Sequence, residues 1–132
     1  MSQPNYLTRP LRINNGIWGS GTWCLLHSLS FTYPNNPSSE LITKTLNFLT
    51  NLRLPCSECE TNYVNYINSN PPTLNSRSDF VDWVINFRNS DRIFRGLSVF
   101  SKDQVINYYE KCDELHVYLN LSVCATCSTT SN

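Results

Sequence analysis

Apolar residues along most of this chain recur at helical spacing rather than in alternation. Between Thr22 and Thr32, the residues Trp23, Leu26, His27 and Ser30 share one helical face, and Tyr33-Pro34-Asn35-Asn36-Pro37 stops the run. Ser38 and Ser39 offer caps to a second helix. Its apolar positions are Leu41, Ile42, Leu46 and Leu49, with Phe48 beside them. Pro55 introduces a third helix, with Cys56 at or near its first turn and its end near Ile67. Asn68 to Asn75, which contains Pro71 and Pro72, reads as a loop. Ser78 or Asp79 then caps a fourth helix that carries Phe80, Trp83, Val84 and Phe87 and ends between Asn89 and Gly96. A fifth starts around Ser101-Lys102-Asp103, presents Val105, Ile106 and Tyr109, and ends at Cys112. Leu115 to Leu121 fits strand or helix equally well, and the polar end after Cys127 is expected to fray. The pattern predicts an all-α fold. It is a four-helix bundle with a short fifth helix, whose short loops make neighbouring helices antiparallel, preceded by an irregular arm over residues 1–17.

Composition narrows the function classes. A chain of 132 residues with 40% hydrophobic content builds one domain with a real core. Ten basic and ten acidic residues cancel, so no net field draws a nucleic acid or an anionic membrane. No stretch approaches the roughly 20 apolar residues of a membrane span. Residues 1–15 carry prolines and asparagines where a signal peptide has its apolar region. The expectation is a cytosolic protein, in which six cysteines point to catalysis, metal binding or redox chemistry rather than to structural disulfides.

The candidate chemistry centres on Leu54-Pro55-Cys56-Ser57-Glu58-Cys59. A helix N-terminus exposes unpaired N–H groups and partial positive charge, which stabilise a thiolate there. The Cys-x-x-Cys spacing lets two sulfurs bond and exchange. One rival is zinc, with Cys56 and Cys59 joined by a second Cys-x-x-Cys, Cys124 and Cys127, into four thiolates. The thioredoxin fold is another, but it requires strands around the motif, and the sequence before Cys56 is helical in pattern. His27 follows Trp23 by one helical turn, so both project from one face. Taken singly, His27 reads as a core histidine and Trp83 as a core ring. Taken with Cys59, they outline a flat pocket suited to a planar electron carrier.

Trp18-Gly19-Ser20-Gly21-Thr22-Trp23, then Leu26-His27 and Tyr33-Pro34, resembles the opening of the Erv/ALR family of FAD-linked sulfhydryl oxidases. Leu54 to Cys59 resembles that family's redox dithiol. Pro72-Thr73-Leu74-Asn75 to Asp79-Phe80, Trp83 and Phe87-Arg88-Asn89 resembles its fourth-helix region. The likeness runs from residue 18 to about 111 and is greatest to the small single-domain members of large cytoplasmic DNA viruses.

The resemblance implies residues 18–112 as the FAD-binding oxidase domain and residues 113–132 as a C-terminal extension. It also implies a homodimer and a location in the host cytoplasm, at the viral factory, or in the virion. By the same resemblance, Gly19, Trp23, His27, Tyr33, Trp83 and Phe87 belong to the FAD site. Cys59 faces the isoalloxazine ring, and Cys56 exchanges with a protein dithiol, such as one on a thioredoxin-like carrier. Dioxygen takes the electrons and leaves as hydrogen peroxide. Cys124 and Cys127 become a shuttle pair, against the alternatives of a local staple or unused thiols.

The family run His-Asn-x-Val-Asn, which by the resemblance holds the adenosine half of FAD, is here Arg88-Asn89-Ser90-Asp91-Arg92, in which only Asn89 agrees and is expected to keep that role. Arg88, Arg92 and Arg95 then serve as a pyrophosphate clamp, or form an ordinary solvated helix end, or mark a site that has lost FAD. Cys24 is expected to be buried and inert, and Cys112 to pair with it or stand alone. A non-enzymatic dimeric interaction module and a zinc-stabilised tetrathiolate domain are the alternatives to the oxidase.

Overall fold

A computed structural model describes residues 4–118, with the side chains of residues 4–111. The helices are α1 (Asn5–Thr8), α2 (Asn15–Phe31), α3 (Ser39–Thr50), α4 (Ser57–Ser69), α5 (Arg77–Phe94) and α6 (Lys102–Tyr118). The described residues contain no strand. The fold is all-α, with α2 to α5 as its four long helices and α6 as the additional one.

Each of helices α2 to α6 opens on a side chain that satisfies an orphan backbone N–H. Asn14 Oδ1 accepts from Gly16 N at 2.7 Å, Ser38 Oγ from Leu41 N at 3.1 Å, and Ser76 Oγ from Asp79 N at 3.1 Å. At α6 the cap is reciprocal. Ser101 Oγ accepts from Gln104 N, and Gln104 Oε1 accepts from Ser101 N at 2.8 Å.

The expected irregular arm contains the short helix α1, and three boundaries differ from the sequence reading. The Asn14 cap starts α2 at Asn15, inside the expected arm, despite the poor helix propensity of Gly16, Gly19 and Gly21. The cap of α5 is Ser76 rather than Ser78 or Asp79, since Asp79 supplies the N–H being capped. Helix α6 continues past Cys112 to Tyr118, so Leu115 to Tyr118 is helical. Positions 119–121 of the ambiguous stretch lie outside the described residues.

The core runs between α2, α3, α4 and α5. Leu26, Leu49, Phe80 and Val84 are fully buried and Tyr63 nearly so, and each such ring or branched chain contributes about 1.5–3 kcal/mol. Leu46 and Phe48, on the expected apolar side of α3, remain partly exposed. Val81 and Ile85 form a second cluster with Val105, which fastens α6 onto α5. Helix α5 ends at Gly96, whose φ of 73° is the left-handed conformation that closes a helix. Leu97 N then donates back to Arg92 O at 2.8 Å. No helix among the described residues is long and apolar enough to cross a membrane.

Candidate redox site

Pro55 ends the chain segment that follows α3, and Cys56 takes the cap position of α4, one residue ahead of the helix. Its Sγ accepts from Cys59 N at 3.3 Å. The cap therefore makes the sulfur itself the acceptor for an orphan N–H, which favours the thiolate. Hydrogen bonding from Cys59, first through its side chain and then through its backbone, holds Cys56 below its ordinary value. Burial pushes the Cys59 thiol up to about 11, and its bond to Cys56 adds to the rise. The pair is thus an outer thiol more readily ionised than the inner one, which stays protonated. Glu60 braces the approach, since its Oε1 accepts from Leu54 N at 3.1 Å.

The dithiol opens on a cavity of about 330 Å³ between α2, α4 and α5. Trp23 and Phe87 form an aromatic wall there, with ring centroids 5.0 Å apart and planes inclined by 52°. Gly19 lies on the α2 side, and Arg88, Arg92 and Arg95 follow one another along α5. Arg88 is 4% exposed and Arg92 7% exposed, unusual values for helix-end arginines. The Arg88 guanidinium carbon stands 5.4 Å from the centres of both the Trp23 and Phe100 rings, and that of Arg92 stands 3.9 Å from Phe100. Burial and then the neighbouring Arg88 charge lower the Arg92 value. Arg88 also borders a second cavity, of about 370 Å³, between α5 and α6, where Phe100, Tyr108, Tyr109 and Lys111 lie.

His27 is fully buried one turn below Trp23, against Phe31 and Tyr109. Neither ring nitrogen has a hydrogen-bond partner. Burial, reinforced by Arg88, lowers its value to about 3, so it is neutral. A neutral imidazole offers one donor and one acceptor, and leaving each unmet costs about 1–3 kcal/mol.

The structure therefore gathers Gly19, Trp23, Cys56, Cys59, Phe87, Arg88, Arg92 and Arg95 around one cavity, with His27 behind its wall. Three expected residues are engaged elsewhere. Tyr33 OH donates to Leu74 O at 2.8 Å, and Trp83 Nε1 donates to Asn70 O at 2.8 Å. Asn89 grips Phe100 from both ends, donating to its O at 2.8 Å and accepting from its N at 2.9 Å. Cys24 is buried against Tyr108 and Tyr109, as expected. Cys124 and Cys127 lie outside the described residues, so the shuttle and zinc readings that use them do too. Among the described residues no cluster of three His, Cys, Asp or Glu side chains is placed to hold a metal.

Tyr63 and Asp91 are among the lining residues that the sequence reading did not assign to the site. Tyr63 lies one helical turn beyond Cys59 and meets Phe87 edge-on at 5.2 Å; the i,i+4 spacing is the signal that finds it. Asp91 faces the cavity and pairs with Arg95 at 3.1 Å, again at i,i+4.

Fold and site together define a helical-bundle protein whose helix-capping dithiol opens on an aromatic, arginine-lined cavity. The pattern of the Erv1 / Alr family matches residues 20–109, and the chain belongs to that family. A probable FAD-linked sulfhydryl oxidase of Acanthamoeba polyphaga mimivirus is 31% identical over 99 residues, covering 71% of this chain and 69% of that protein. An FAD-linked sulfhydryl oxidase of African swine fever virus is 31% identical over 98 residues, covering 71% and 81%. The crystal structure of the yeast Erv1 core superposes with a TM-score of 0.68 at 25% identity, covering 78% of this chain and 86% of that one.

Proposed function

We propose that the chain is an FAD-linked sulfhydryl oxidase that forms disulfides in protein dithiols. The observation that carries this reading is the shared cavity: Cys56 and Cys59 line the same space as Trp23, Phe87 and the two buried arginines. The residues fit a flavin dinucleotide on three counts. Trp23 and Phe87 offer flat apolar faces to a ring system beside the inner sulfur. Arg88 and Arg92 put buried guanidinium charge where an anionic diphosphate gains most from it. His27 keeps a buried donor and acceptor unmet behind that wall, and a polar heterocycle or ribose satisfies such a pair. When bound, FAD supplies a two-electron acceptor that passes electrons on to dioxygen.

The chain's own part begins with the oxidised pair. A substrate thiolate attacks Cys56, the sulfur nearer solvent, and the bond between Cys56 and Cys59 breaks. The second substrate thiol resolves the mixed disulfide and leaves Cys56 as a thiolate, stabilised at the α4 cap. Cys59 holds the second proton until the pair is reoxidised. Cys124 and Cys127 serve as a shuttle pair that relays electrons from the protein substrate to Cys56.

The test is an absorption spectrum of the purified full chain, followed by oxygen consumption with a reduced dithiol. A flavin band and thiol-dependent oxygen uptake are expected. Cys59→Ser is expected to keep the colour and abolish turnover. A colourless protein that cannot be loaded with FAD, or a Cys59→Ser variant of full activity, removes the assignment.

A further inference from the structure

Six charged or thiol side chains share the cavity with Cys59. Cys56 and Glu58 come from its own helix, and Arg88, Asp91, Arg92 and Arg95 from α5; α2 contributes none that ionises. Arg88 and Arg92 are buried against Trp23 and Phe100. Asp91 and Arg95 instead form a partly exposed ion pair of 3.1 Å on the lining of the cavity that holds the dithiol. We propose that this ion pair tunes the inner sulfur, Arg95 stabilising Cys59 as it departs as a thiolate and Asp91 tethering and moderating that charge.

The inference rests on the oxidase reading and concerns one step of it. A substrate thiolate, its proton already lost to solvent, forms a bond to Cys56 Sγ. The bond between Cys56 and Cys59 breaks, and its electron pair leaves on Cys59 Sγ. No external oxidant enters. A leaving thiol of lower basicity leaves faster, yet Cys59 sits in surroundings that disfavour its anion. Arg95 opposes that penalty and Asp91 adds to it. Arg95 is therefore a positioning residue, acting on the reacting sulfur through charge. Its i,i+4 tether to Asp91 limits the positions the half-exposed guanidinium can take.

The experiment uses the full chain and two readouts that need neither flavin nor dioxygen. The first is the pH midpoint for alkylation of Cys59 in a Cys56→Ser background, followed by peptide mass mapping. Arg95→Gln is expected to raise the midpoint by about half a pH unit, a roughly threefold loss of thiolate, and Asp91→Asn to lower it by a similar amount. Arg95→Lys should restore the midpoint, which a merely structural role does not predict. The second readout is opening of the Cys56–Cys59 disulfide by dithiothreitol. Arg95→Gln should slow it about twofold and Asp91→Asn should speed it. An unmoved or lowered midpoint in Arg95→Gln, or a raised one in Asp91→Asn, overturns the proposal. So does failure of Cys56 and Cys59 to form a disulfide at all. A wild-type protein without flavin or oxygen uptake sinks the oxidase reading instead, and leaves these midpoints interpretable by themselves.

Discussion

Cys56 Sγ is the N-terminal cap of the helix that carries Cys59, accepting the Cys59 backbone N–H at 3.3 Å. One peptide geometry thereby makes the two sulfurs unequal. The cap and the neighbouring thiol lower Cys56, while burial raises Cys59.

That asymmetry predicts the order of modification. With Cys59 at about 11 and Cys56 below 9.0, thiolate at neutral pH is at least roughly a hundredfold more abundant on Cys56. The less basic thiolate is a weaker nucleophile, which returns about a factor of ten. Iodoacetamide should therefore label Cys56 about tenfold faster than Cys59 in the reduced protein, read by mass mapping at short times. Equal rates would falsify the assignment of outer and inner roles.

His27 gives the fold an acid limit. Unfolded, it takes a proton below about 6.5; folded, it takes none until about 3. Between those values the unfolded chain binds more protons, so stability falls as pH falls through that window and levels off beneath it. The flavin-free protein should lose about 2 kcal/mol between neutral pH and about pH 5 from this group. His27→Phe, which keeps a ring against Phe31 and Tyr109, should remove that part of the slope in urea melts at the two pH values. An unchanged slope would mean that His27 is not held neutral by burial.

The helices were legible because cap residues at Ser38 and Ser101 and the breaker Pro55 agree with the apolar periodicity, and the dithiol was legible from spacing alone. The start of α2 was not, since three glycines within seven positions argue against a helix that the Asn14 cap nevertheless opens. Helical spacing also puts Trp83 and Phe87 on one face without saying which ring lines the cavity. That is decided by Asn70 O, which takes the Trp83 N–H and turns its ring to the loop. The burial of Arg88 was equally hidden, because a basic helix end is ordinarily solvated. It follows from two distant aromatic rings, Trp23 on α2 and Phe100 beyond the end of α5, that converge on its guanidinium.

Asn89 is predicted to act on the cavity at one remove. Its side chain fixes both backbone groups of Phe100, and the Phe100 ring lies against Arg88 and Arg92. Asn89→Ala removes two hydrogen bonds, a loss of about 2 kcal/mol by chemical denaturation. FAD affinity should fall with it, because the arginines lose the ring that orders them. Ser90→Ala, at the exposed neighbour, should alter neither measurement.

Arg88 separates cofactor binding from folding most cleanly. Its charge depresses Arg92, so replacing it relieves a repulsion while giving up contacts with Trp23 and Phe100. The two changes oppose each other, and Arg88→Gln should stay within about 1 kcal/mol of the wild type in stability. Binding has no such compensation, because a charge-assisted contact to a diphosphate is worth about 1.5–3 kcal/mol. FAD should bind Arg88→Gln roughly tenfold to a hundredfold more weakly in a fluorescence titration of the flavin-free protein. The remaining affinity should also depend less on salt, one cation having been removed from the contact. Arg53→Gln removes a charge that is 88% exposed and outside the cavity, and should leave the titration unchanged. Equal FAD affinity in Arg88→Gln and Arg53→Gln would take Arg88 out of the site.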